Sequence, residues 1–136
     1  MAAVDGRSLL AYILSRRGCT HPFIASRVAL LAELRYMEAR GARLSDLEYV
    51  GGPGTFYIEG LKELIEGDRC FEKVEGDPAT GRRGCIRYTC EPPSLPPEAA
   101  EAVEAALREA ARLGEMELHR LVLEHPLYPR VVRGGV

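Results

Sequence analysis

The chain has no long apolar run, no basic-then-apolar start and no marked excess of either charge. Its apolar stretches last only a few residues, too short for a membrane-crossing helix, so no membrane partner is expected. The N-terminus, MAAVDGR, lacks the pattern of a secretory signal, which makes a cytoplasmic location the expectation. With 18 basic and 20 acidic residues the net charge is −2. That balance argues against nucleic-acid binding by bulk electrostatics, although a local basic patch stays compatible with it. Lysine is scarce: Lys62 and Lys73 are the only two, and arginine supplies the rest of the positive charge. Together with abundant Ala, Gly, Leu and Glu, this bias fits a GC-rich genome or a thermophile.

Several motifs are also missing. There is no paired C-x-x-C knuckle of a zinc site, and no G-x-x-x-x-G-K-[ST] phosphate loop. No Ser, Asp or Cys stands in a nucleophile motif with a histidine. No catalytic residue, cofactor or metal is therefore assigned, and an enzyme is the least favoured class.

What is present is an ordinary composition, 46% hydrophobic and 28% charged over 136 residues, enough for one domain with a real core. Asp5 caps a first helix over Arg7–Arg17, with Leu9, Leu10, Ile13 and Leu14 on its buried stripe and Gly18 after its last turn. A long central helix runs from Pro22, capped by Thr20 or His21, to about Arg40, where Gly41 ends it. Leu44–Val50 reads as a short strand or extended piece, broken by Gly51-Gly52-Pro53-Gly54. A third helix is expected over about Thr55–Glu66. Arg69–Glu75 and Gly84–Glu91 read as the two strands of a β-hairpin around EGDPATGRRG. The proline-rich crossing at 91–97 then leads, with Ser94 as a candidate cap, into helices over Pro97–Leu113 and Met116–Glu124. Residues 126–136 read as an extended tail.

The fold class expected is mainly α with a small hairpin (α+β). A winged-helix-like core of three helices plus hairpin over about 5–91 precedes two C-terminal helices at 97–125. In such a core the third helix would enter a DNA groove, yet here it offers Glu59, Lys62, Glu63 and Glu66, an acidic face that phosphates repel. The hairpin does carry Arg69, Arg82, Arg83 and Arg87, the residues that would hold nucleic acid if the protein were a DNA-binding regulator. A basic wing beside an acidic helix suits protein contact better. The stripe Ala99, Ala100, Val103, Ala106, Leu107 and Ala110 packs on the core or serves a homodimer or partner groove.

A hairpin centred near Thr80 places Cys70 and Cys90 opposite each other, within reach of a disulfide. Buried or spare thiols are the alternative, because disulfides are uncommon in the cytosol outside hyperthermophiles. Cys85 and Cys90 would lie on opposite faces of a regular strand. His119 and His125 are six residues apart and do not share a helix face, so surface or capping roles are expected for both.

Several short motifs, spread over about Leu9 to Tyr128, carry a family resemblance. Val28-Ala29-Leu30-Leu31 through Arg35-Tyr36, then Gly41-Ala42-Arg43-Leu44, then Tyr49-Val50-Gly51-Gly52-Pro53 resemble successive motifs of the Panacea (SocA-like antitoxin) family. Leu121-Val122-Leu123-Glu124-His125-Pro126-Leu127-Tyr128 echoes that family's closing motif. The chain departs from it where the central-helix lysine is absent, with Arg27 only nearby. It departs again where Gly-Gly-Pro replaces Tyr-Gly-Pro and where a tyrosine replaces the terminal tryptophan. The resemblance implies a non-enzymatic module that neutralises a partner protein such as a toxin by direct binding, or adapts it for proteolysis. Tyr49, Gly52, Pro53 and His125 are the positions it marks for partner binding.

Overall fold

A computed structural model describes residues 2–134. The elements are α1 (Gly6–Arg17), α2 (Pro22–Arg40), β1 (Tyr49–Gly51), β2 (Phe56–Ile58), α3 (Leu61–Glu66), β3 (Phe71–Val74), β4 (Cys85–Tyr88), α4 (Pro97–Ala110), α5 (Glu115–Leu123), α6 (Tyr128–Val131) and β5 (Val132–Gly134). The class is α+β, with helices predominating and the strands gathered in two small sheets. No helix among the described residues is long and apolar enough to cross a membrane.

Both first helices start where the sequence places them. Asp5 accepts the Ser8 amide at 2.8 Å, and His21 Nδ1 accepts the Phe23 amide at 3.1 Å ahead of Pro22. Each satisfies a donor that helix geometry leaves unpaired. The middle of α2 is buried on every face, from Ala25 through Leu34, and α1, α4, α5 and α6 pack around it. Leu9, Ile13, Leu30, Leu31, Leu34, Val103 and Val122 form the centre of this core. Ion pairs tie its outer rim, Arg35 to Glu109 at 2.8 Å and Arg16 to Glu104 at 2.7 Å.

A carboxyl group lies inside the core. Glu33 is fully buried and accepts hydrogen bonds from Arg43 Nε at 3.0 Å, the Leu44 amide at 2.9 Å, the Ser45 hydroxyl and, at 3.4 Å, the Tyr49 hydroxyl. A buried carboxylate persists only when it is paired and hydrogen-bonded in this way. Its effect is to fix the extended 43–49 segment along α2 and so to place β1.

The third helix expected over 55–66 is confined to its second half. Phe56, Tyr57 and Ile58 alternate buried, exposed, buried and form β2, which pairs antiparallel with β1 in the register Tyr49↔Ile58 and Gly51↔Phe56. Aromatic and β-branched residues favour such a half-buried strand, and Gly60, at φ 77°, sits at the junction before α3 begins. The tail expected to be extended is also corrected. Residues 128–131 form α6, and β5 continues the sheet, parallel to β1, in the order β2-β1-β5. Of that tail, Gly135 and Val136 lie outside the described residues. Two helix ends differ as well. The cap before α4 is Pro96, without a side-chain bond, rather than Ser94, and α4 ends at Ala110 rather than Leu113.

The hairpin β3–β4 forms as expected, with Phe71 opposite Tyr88 and Val74 opposite Cys85. Cys70 and Cys90 are disulfide-bonded across its base, with Cα atoms 5.2 Å apart. A second disulfide, Cys19–Cys85, joins β4 to the α1–α2 connection, which rules out spare thiols at these positions. Beside it Thr20 and Ile86 exchange two backbone hydrogen bonds of 2.9 Å. The hairpin is thus clamped to the helices rather than hinged on them.

Candidate functional site

The turn between β1 and β2 is held by side chains from separate helices. Its residues have little side chain of their own. Gly51 is obligatory, because a Cβ there would lie 2.3 Å from the Thr55 carbonyl and 2.5 Å from the Phe56 Cα. The Gly52 amide donates to the Thr55 carbonyl at 3.0 Å and closes the turn. Side chains from three helices then hold it from below. Tyr128 of α6 donates its hydroxyl to the Gly52 carbonyl at 2.7 Å. Arg27 of α2 donates from Nη2 to Thr55 Oγ1 at 2.9 Å. His119 of α5 acts on the turn through Arg27, accepting a hydrogen bond from its Nε.

Arg27 is the unusual member of this set. Only 3% of it is exposed, and its guanidinium lies between the rings of Phe23 and Phe56, 3.9 and 4.1 Å from their centroids. Nε donates to His119 Nδ1 at 3.2 Å and Nη1 donates to Ser26 Oγ at 2.9 Å. No carboxylate among the described residues pairs with it, so two flanking π-faces and three neutral acceptors stabilise a buried cation. Burial pulls its pKa down to about 10, which leaves it charged at neutral pH. His119 accepts from Arg27 through Nδ1, so its proton resides on Nε2. Burial first, and the Arg27 charge second, lower its pKa, which favours the neutral ring this arrangement needs.

Above this base the turn is open to solvent. Pro53, Gly54 and Thr55 are exposed, and Tyr57 is 55% exposed on the outer face of the sheet. Val50 and Arg133 share that face, because both pair in register with this row. A shallow recess of about 350 Å³ runs along the turn between Val50, Pro53 and Tyr57.

The four positions marked by the family resemblance have different places in the structure, and His125 does not touch the turn. Gly52 and Pro53 are the turn itself. Tyr49 is 1% exposed, and its ring meets Phe56 edge-on at 6.1 Å, so its side chain supports the turn from the core. Phe56 in turn meets Tyr128 edge-on at 6.0 Å. His125 Nδ1 accepts the Leu127 amide at 3.0 Å, while Nε2 lies 2.8 Å from Glu38, which fastens the segment that delivers Tyr128. The supporting trio Arg27, His119 and Tyr128 was not read as a site in the sequence. The three residues are 92 or more positions apart in part, and only the packing of α2 against α5 and α6 joins them.

The arginines of the hairpin are placed less favourably for nucleic acid. Arg83 pairs with Glu115 at 2.6 Å and Arg87 pairs with Glu72. Arg82 reaches the Glu75 carbonyl at 3.4 Å, and Arg69 is exposed. Among the described residues no group of three His, Cys, Asp or Glu side chains is arranged to hold a metal ion. No protein-family model, curated protein or solved structure matches this chain.

Proposed function

We propose that this chain is a non-enzymatic module that binds a partner protein, antitoxin-like in action, with the anchored turn as part of its contact surface. One observation carries the reading. A buried, carboxylate-free arginine, backed by a histidine of a second helix, and a tyrosine of a third together fix one short exposed turn beside an exposed tyrosine. Fixing a surface loop in advance lowers the entropy lost on association, and Tyr and Arg are the side chains that most often anchor interfaces. The Panacea resemblance adds to this, since its Gly-Pro positions fall at the apex of the turn. The architecture we propose is winged-helix-like, with α1, α2, α3 and the β3–β4 hairpin as its core. A cytoplasmic location is part of the reading. Two disulfides and an arginine-rich composition then fit an intracellular protein of a thermophile.

Nucleic-acid binding through Arg69, Arg82, Arg83 and Arg87 is the competing reading. It is weakened by the carboxylates beside Arg83 and Arg87, and by the Glu63 and Glu66 faces of α3. Affinity capture from lysate of the source cells, split into nuclease-treated and untreated halves, separates the two. A stoichiometric protein partner that survives nuclease is the expected result. Recovery of nucleic acid, with every protein lost on nuclease treatment, would refute the proposal.

A further inference from the structure

A second recess is of a different kind. Where α3, the β3–β4 hairpin and the start of α2 meet, Pro22, Leu61, Ile65 and Ile86 line an apolar cleft of about 180 Å³. Small-molecule sites run to roughly 300–1,000 Å³, so this one has room for a single aliphatic side chain rather than a whole ligand. Its walls are held apart. Ile86 is fixed by its two hydrogen bonds to Thr20, and the neighbouring Cys85 is covalently tied to Cys19. The strand wall therefore cannot slide over to fill the gap, and the cleft is preformed.

The rim carries the charge that names the occupant. Lys62 and Lys73, the chain's two lysines, both border the cleft. Lys73 has its nearest carboxylate, Glu75, at 3.8 Å in an exposed pair, which holds it only weakly. Glu66 borders the same cleft, so two positive side chains and one negative one ring the opening and the rim stays net positive. We infer that the cleft receives a leucine- or isoleucine-type side chain of the partner protein, with an adjacent carboxylate side chain meeting Lys62 and Lys73. The inference rests on the protein-binding reading and gives that partner an anchor distinct from the turn.

The test is an NMR titration of the full oxidised chain with the blocked peptide Gly-Glu-Leu-Glu-Gly, its serine-for-leucine analogue and its lysine-for-glutamate analogue. The expected result is saturable shifts at the Ile65 and Ile86 amides, with affinity about tenfold lower for the serine peptide, as loss of one buried aliphatic side chain requires. Charge reversal by Lys62→Glu with Lys73→Glu, both exposed positions, should switch preference to the lysine peptide. Equal shifts with all three peptides, or none at Ile65 and Ile86 at the highest soluble concentration, would overturn the inference. The titration needs no partner. A failed cleft therefore leaves capture through the turn standing, and failed capture leaves the peptide result standing.

Discussion

Replacing Arg27 separates the two things this residue supplies, a positive charge and a planar hydrogen-bonding plate. Stacking on two rings in a desolvated site contributes on the order of 2 kcal/mol per ring. Three hydrogen bonds from a charged donor add roughly 1.5 kcal/mol each at the lower end. Removing an ion from water without a counter-charge takes back several kcal/mol, most of that gain. Arg27→Lys keeps the desolvated charge but gives up the plate and at least two of the bonds, so it should destabilise by about 3 kcal/mol. Arg27→Met gives up charge and bonds together, keeps apolar packing between Phe23 and Phe56, and lets the exposed Thr55 and half-buried His119 turn to water. Its cost should be smaller, about 1–2 kcal/mol. Urea denaturation followed by circular dichroism measures both, and amide exchange at Gly52 reports whether the turn has loosened. If lysine proves close to wild type while methionine is the more damaging change, the charge rather than the plate is what the site needs, and the reasoning fails.

Three further outcomes follow from the same structure. Cys19→Ser with Cys85→Ser opens a loop of 66 residues and should lower stability by about 4 kcal/mol on the chain-entropy estimate, whereas an unchanged urea midpoint would deny the disulfide a role in holding the hairpin. Glu33→Ala leaves the buried Leu44 amide without its acceptor and Arg43 without its partner, which should cost about 3 kcal/mol in the same assay. His119 and His21 both have lowered pKa values, each through burial first and then a nearby arginine, Arg27 and Arg83 respectively. The unfolded chain therefore binds these protons more readily, so stability is complete above about pH 6.5 and falls as pH drops toward the folded-state values. His119→Gln should flatten that slope, and a melting temperature independent of pH across this window would contradict it.

How far the sequence could be read depends on the range of the interactions concerned. The two N-terminal helices are set by Asp5, His21-Pro22 and the terminating glycines, all local signals, and they fall where those residues place them. The hairpin and the Cys70–Cys90 pairing are likewise local, since the strand register fixes which residues face each other. Phe56-Tyr57-Ile58 misleads because its apolar spacing joins that of Leu61, Leu64 and Ile65 into one apparent helical stripe. The partner that makes it a strand is β1, across the turn. The tail misleads for the opposite reason, because β5 pairs with β1 some eighty residues earlier in the chain. Cys19–Cys85 and the Arg27, His119 and Tyr128 trio are long-range in the same way. Arg27 sits in a largely apolar stretch of α2, and one buried cation there could be read only as a departure from pattern until the rings on either side were in place.

The central claim is that the turn binds because it is both exposed and held rigid. Its most direct test is the dissociation constant of the captured partner for wild type, Tyr57→Ala and Arg27→Lys, by calorimetry. Loss of an exposed anchor tyrosine should weaken binding at least about tenfold. Arg27→Lys, a buried change that leaves the contact surface chemically intact, should weaken it as well by releasing the turn. Wild-type affinity in both variants would place the contact elsewhere and contradict the account.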